Sequence, residues 1–155
     1  MIRPFKPTDI DSILSIWLSG NIEAHSFIPE SYWQSKIPHA KEAIPTLDTY
    51  VEELDEVVVG FITLQDDLIS SLFVDTNHYS QGIGKRLLDH AKGIRENLSI
   101  FLYTKNERAW SFFDREGFVA VQNEPNLETS EYELMMIWPD ATDPTLVDDY
   151  PESDY

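Results

Sequence analysis

The chain has 155 residues, 42% of them hydrophobic, no cysteine, and a formal net charge of −17. That length implies one domain with a proper core, and the missing cysteine excludes a disulfide framework, a thiolate metal site and an acyl-cysteine intermediate. The charge repels nucleic-acid phosphates and should draw in cationic partners. No run approaches the ~18 apolar residues of a membrane span, and the opening MIRPFKPTD has no apolar signal region, so a soluble cytoplasmic protein is expected, with no membrane partner. The histidines His25, His39, His78 and His90 show no ligand spacing, so no metal is expected.

In chain order, Ile2 to Phe5 reads as a short strand, and Thr8 as the N-cap of a helix with Asp9 and Asp11 in its first turn. Ile10, Ile13, Leu14 and Trp17 form that helix's apolar face, and Gly20 is expected to end it. Residues 21 to 46 are aromatic and punctuated by proline, with a helical region near Ser31 to Ile44 kinked or broken at Pro38. Thr49 to Glu53, Val57 to Leu64 and Leu68 to Val74 read as three consecutive antiparallel strands. A helix striped by Ile83, Leu87, Leu88, Ala91 and Ile94 follows. Then come a strand at Leu98 to Tyr103, a helix at Glu107 to Glu116, and strands at Val119 to Gln122 and Tyr132 to Ile137. From Pro139 onward, PDATDPTLVDDYPESDY carries six acidic residues, no basic ones and three prolines. That composition predicts an acidic, solvated extension at 139–155 behind a folded domain at 1–138.

The stretch with the most chemistry is Leu68 to Leu88, LISSLFVDTNHYSQGIGKRLL. An apolar strand runs through a polar loop into two glycines that open an amphipathic helix. A glycine turn at a helix N-terminus aims orphan backbone N–H groups and the positive end of the helix dipole at one point, which suits a phosphate. A dinucleotide fold would need a third glycine where Leu87 stands. A nucleoside-triphosphate loop would need Ser or Thr after Lys85, where Arg86 stands, and a glycine at Tyr79. Both nucleotide readings fail on residues. From Gln81 to Arg108 the basic residues Lys85, Arg86, Lys92, Arg95, Lys105 and Arg108 outnumber the acidic Asp89, Glu96 and Glu107. A local charge of +3 in a chain of −17 supports a polyanionic ligand.

Tyr79-Ser80-Gln81-Gly82-Ile83-Gly84 resembles the core motif of the GNAT superfamily of acyl-CoA-dependent N-acyltransferases, Gln/Arg-x-x-Gly-x-Gly/Ala, with Tyr79 at the Gln/Arg position. Asn106-Glu107-Arg108-Ala109 through Phe112-Phe113-Asp114-Arg115-Glu116-Gly117-Phe118 is similar to the family's Asn-x-x-Ala…Phe/Tyr-x-x-x-Gly-Phe stretch. The resemblance implies an α/β fold: a mixed, mostly antiparallel sheet of about six to seven strands, flanked by helices and splayed between its two central strands. It implies acetyl-CoA as cofactor, its pantetheine against Leu72, Phe73 and Val74, and the Val74 N–H on the oxyanion, a donor worth ~3 kcal/mol in comparable sites. Ser80, Gln81, Gly82, Ile83, Gly84 and Lys85 would cradle the pyrophosphate, with Asn106 and Phe113 on the cofactor's other side.

Direct transfer to an amine needs a neutral nucleophile, because a free lysine has pKa ~10.4. The strands Leu68 to Val74 and Leu98 to Tyr103 hold no carboxylate to take that proton; Phe101 fills one such place. A water chain or His25 must serve, since an unperturbed histidine near pKa ~6.5 suits a base at neutral pH. His25, Phe27, Tyr32 and Trp33 resemble the amine-side segment of small bacterial members that modify protein lysines or other amines. Many members carry a tyrosine seven residues after the asparagine to protonate the departing thiolate, but that position here is Phe113. Tyr103 is the substitute candidate. Two functions follow: an N-acetyltransferase acting on a cationic amine, either a small molecule or a protein lysine, or a catalytically weak acetyl-CoA-binding module that senses or regulates. A monomer or a homodimer fits either.

Overall fold

The computed structural model describes residues 1–140, so most of the acidic extension, residues 141–155, lies outside the described residues. Two compact units succeed one another along the chain, the first being Met1–Glu96 and the second beginning at Asn97.

The first unit contains β1 (Ile2–Pro4), α1 (Ile10–Ala24), α2 (Glu30–Ala43), β2 (Asp48–Leu54), β3 (Val57–Gln65), β4 (Leu68–Val74) and α3 (Ile83–Ile94). Its strands lie in the order β1-β2-β3-β4, each antiparallel to the next. The β2–β3 connection is a two-residue turn, Asp55-Glu56, with both residues at positive φ. Such a turn matches the twist of the strands it joins. Ile13, Ile16, Ala40, Ile44, Val51 and Phe61 form the core between the helices α1 and α2 and the sheet. The buried Ile83, Leu87, Leu88 and Ala91 of α3 form a second apolar stripe, whereas Ile94, expected to continue it, is 40% exposed.

Three local expectations change. Asp9, not Thr8, precedes α1, at the end of a 3-10 turn over Pro7–Asp9. Its carboxylate is occupied by a fork of Arg3, at 2.8 and 2.9 Å, and by the Lys6 N–H. Hydrogen bonding from Arg3 holds this carboxyl below the usual carboxylate range. Gly20 does not end α1, which runs four residues further. A Cβ at this position would lie 2.4 Å from Cδ1 of Phe73, so the glycine serves close packing on β4 rather than termination. Finally, α2 passes through Pro38 without interruption.

The second unit contains β5 (Leu98–Tyr103), α4 (Glu107–Arg115), β6 (Val119–Pro125) and β7 (Tyr132–Trp138). β7 pairs antiparallel with both β5 and β6. Leu98, Ile100, Leu102, Phe113, Phe118 and Met136 are buried, and the rings of Phe113 and Phe118 meet edge to face at 5.0 Å. Among the described residues, seven strands and four α-helices give the α/β architecture expected from the sequence.

Candidate acyl-donor and amine sites

The site in the first unit is built on β4. Its residues Leu72, Phe73 and Val74 stand opposite Ile62, Phe61 and Gly60 of β3. Just beyond, the Asp75 N–H donates to the Val59 carbonyl at 2.8 Å. Antiparallel pairs alternate between hydrogen-bonded and non-hydrogen-bonded, so Phe73 spends its backbone groups on Phe61. The amides and carbonyls of Leu72 and Val74 are directed away from β3. Of the three β4 positions singled out from the sequence, two therefore turn their main-chain groups away from β3, while Phe73 contributes its ring to the packing under α1.

A short 3-10 turn, Thr76–His78, leads from β4 into the glycine loop. His78 Nδ1 and Asp75 Oδ2 are 2.8 Å apart and hold this turn. Ser80 and Gly82 adopt positive φ, 66° and 76°, and Gly82 is the N-cap of α3. The helical ladder starts where the Arg86 N–H reaches the Gly82 carbonyl at 3.0 Å. The amides of Ile83, Gly84 and Lys85 precede that ladder and point out of the helix end, where the dipole favours an anion. Tyr79, at the family's Gln/Arg position, sends its hydroxyl toward Glu23 of α1 at 3.4 Å.

Side-chain charge contributes less here than the sequence suggested. Lys85 pairs with Asp89 within α3, whereas Arg86 pairs with Glu52, Arg95 with Asp48 and Lys105 with Glu131. The last three acidic partners come from outside Gln81 to Arg108 and match the segment's excess of three positive charges. Backbone amides, not a surplus of cations, are what the loop offers an anion.

The amine-side segment follows the end of α1. His25 is the C-cap of that helix and 7% exposed. Its ring stacks on Trp33 at 5.1 Å and meets Phe27 at 5.8 Å. Trp33 also meets Trp17 and Tyr32 edge to face, and the Lys36 ammonium lies 5.4 Å over the Tyr32 ring. All four residues chosen from the sequence thus share one aromatic cluster. Burial pushes the His25 imidazole down to about 4, with a backbone hydrogen bond to Asn21 opposing in part. Burial thus works against the expected base poised near neutrality, leaving the ring neutral at pH 7 and weakly basic.

In the second unit, the Asn106 side chain caps α4 by accepting from the Ala109 N–H at 3.2 Å. Phe113 is 4% exposed and packs between Phe112 and Phe118, so its ring is a core element of that unit. Tyr103, on β5, is buried, and desolvation raises its phenol above the ordinary value. The hydroxyl is therefore protonated at neutral pH. Phe101, by contrast, is 49% exposed.

The sequence reading missed one residue that shapes the glycine loop: Glu52 of β2, buried at 2% exposure. Strand alternation hides Glu52, because it follows the buried Val51 at a register shift in β2. An arginine in the first turn behind a glycine loop was the available signal that a carboxylate lay opposite.

The glycine-capped N-terminus of α3 behind β4 points to the acetyltransferase class, and residues 45–120 of the chain match the acetyltransferase (GNAT) domain family. It is 29% identical over 141 residues to the peptidyl-lysine N-acetyltransferase YiaC of Escherichia coli (strain K12), covering 90% of this chain and 97% of that one. The fold is similar to the apo form of YjaB from Escherichia coli, with TM-score 0.80, 22% identity, and 91% and 98% of the two chains covered. It is also similar to YncA of Salmonella typhimurium, solved with its cofactor acetyl-CoA, with TM-score 0.65, 18% identity, and 90% and 94% covered. Among the described residues no helix is long and apolar enough to cross a membrane.

Proposed function

We propose that the chain transfers the acetyl group of acetyl-CoA directly to the ε-amine of a protein lysine, through one catalytic domain spanning residues 1–138, as a cytoplasmic monomer or homodimer. The observation that carries this reading is the continuity of β4 with the α3 N-terminus. Amides at Leu72 and Val74 that face away from β3 lead, nine residues after Val74, to the helix-end amides of Ile83 to Lys85. A thioester-bearing pantetheine followed by a pyrophosphate needs such groups in that order. YiaC, similar over nearly its whole length, is named for peptidyl-lysine, and a net charge of −17 favours a cationic acceptor.

In the proposed reaction the neutral amine attacks the thioester carbonyl carbon and forms the C–N bond. The Val74 N–H steadies the oxyanion, a contribution of ~3 kcal/mol in comparable sites. Collapse breaks the C–S bond, and the thiolate leaves as the free thiol after taking up a proton. Solvent accepts the amine's proton, while His25 with Phe27, Tyr32 and Trp33 forms the apolar wall along the lysine stem. Tyr103 is the proton donor proposed for the thiolate, since its phenol stays protonated. Within their own unit, Asn106 caps α4 and Phe113 packs its core. Thiol release from acetyl-CoA with lysine peptides tests the proposal. Release that depends on the peptide supports it; tight CoA binding with no release for any amine overturns it.

A further inference from the structure

The Arg86 guanidinium is committed within the protein. Its Nε and Nη2 both donate to Glu52 Oε1, each at 2.8 Å, and its Nη1 donates to the Gln81 carbonyl at 2.9 Å. The other Glu52 oxygen lies 3.1 Å from the Met1 amino group. The arginine side chain is 47% exposed, but its carboxylate partner only 3%. An exposed ion pair would carry little. Here, removing the arginine would strip a buried carboxylate of its main partner, and the third bond reaches the main chain of the glycine loop itself.

That third bond has a geometric consequence. A peptide unit is planar and trans, so the carbonyl of one residue and the N–H of the next point in opposite directions. Holding the Gln81 carbonyl against Arg86 therefore fixes where the Gly82 N–H points and keeps a carbonyl dipole from turning toward an anion. Gly82 allows the approach: a Cβ there would lie 3.3 Å from Arg86 Nη1, and φ is +76°. The loop is thus held from β2, through a carboxylate that no ligand needs to touch.

We propose that Glu52 and Arg86 are a positioning pair for the phosphate-binding loop, orienting its amides toward the pyrophosphate of the acyl donor. The proposal rests on the acetyl-CoA reading above and adds that Arg86 acts through the loop rather than as a phosphate ligand. The two roles predict opposite signs. If Arg86 bound phosphate directly, Glu52→Gln would free it and remove a negative charge nearby, so CoA would bind more tightly. A positioning pair predicts weaker binding.

The test measures CoA affinity by calorimetry on the full chain for wild type, Glu52→Gln and Arg86→Lys. Transfer rates are compared for acetyl-CoA and for acetyl-pantetheine, which lacks the pyrophosphate. Glu52→Gln should weaken CoA about tenfold, the loss expected for a charge-assisted hydrogen bond. The ratio of kcat/KM for acetyl-CoA to that for acetyl-pantetheine should fall by a similar factor. Arg86→Lys keeps the charge but loses the fork and should weaken CoA likewise; its half-exposed position makes it the variant that decides if Glu52→Gln does not fold. Unchanged or tighter CoA binding in either folded variant, or equal losses with both donors, would overturn the proposal. Wild-type binding is read separately: no CoA binding there overturns the acetyl-CoA reading itself and this proposal with it.

Discussion

Gly20→Ala sets two physical effects against each other at a position that touches β4. In the interior of a helix, alanine is favoured over glycine by about 1 kcal/mol, so propensity alone predicts a more stable protein. At Gly20, however, the added methyl would sit 2.4 Å from Cδ1 and 3.0 Å from Cε1 of Phe73. That ring already packs against Phe61 at 6.1 Å, and the backbone of Phe73 is tied to β3, so neither ring nor strand yields freely. Overpacking of this kind costs about 1–3 kcal/mol, so the clash should win. For a chain of this size a net loss of ~1 kcal/mol lowers Tm by about 2–4 °C. Any relief by movement of β4 would also displace Leu72 and Val74, and acetyl transfer should fall on the order of tenfold at temperatures where the variant is folded. Thermal unfolding and kcat/KM with acetyl-CoA, measured on Gly20→Ala and on Gly20→Ala with Phe73→Leu, check both parts. The smaller leucine should recover stability relative to the sum of the single changes. A Gly20→Ala protein more stable than wild type, with full activity, would refute the packing argument.

Four further expectations follow from the site residues. His25 has a folded-state pKa depressed to about 4, so between pH 6.5 and 4 the unfolded chain binds a proton that the native state refuses. Stability should fall across that window by up to about 3 kcal/mol; chemical denaturation at several pH values should show a shallower fall for His25→Gln, and an unchanged slope would contradict it. The same variant should leave the rising limb of the pH–rate profile in place, whereas loss of that limb would restore His25 as the base. Phe113→Tyr buries a hydroxyl in a packed aromatic contact and should cost about 1–3 kcal/mol without raising kcat; a faster enzyme would show that the new hydroxyl reaches the leaving thiolate. Asn106→Ala removes the α4 cap and should cost about 1 kcal/mol, read as a lower Tm.

The parts of this molecule that local sequence determines were legible. The glycine loop, the strand before it and the stripe Ile83, Leu87, Leu88, Ala91 follow from periodicity and turn chemistry, and the Asn106 motif marked a helix start that the cap hydrogen bond explains. Gly20 misled because a glycine in a helical pattern looks the same whether it ends a helix or admits a neighbouring ring. Only the position of Phe73 distinguishes the two. Glu52 and Arg86 are 34 residues apart, so no local pattern joins them, and the charge excess around α3 was overestimated for the same reason. His25 shares one cluster with the aromatic residues named beside it, but its acid–base character depends on burial, which composition does not report.

The β4 amides that face away from β3 and the α3 N-terminus are proposed to present an acetyl thioester to a protein lysine. Mass spectrometry of lysine peptides incubated with acetyl-CoA and the purified chain tests it most directly. One acetyl group on the lysine ε-amine, formed in proportion to enzyme and absent when the chain is heat-denatured, is the expected result. Saturable CoA binding with no acetylated peptide at any pH would contradict it.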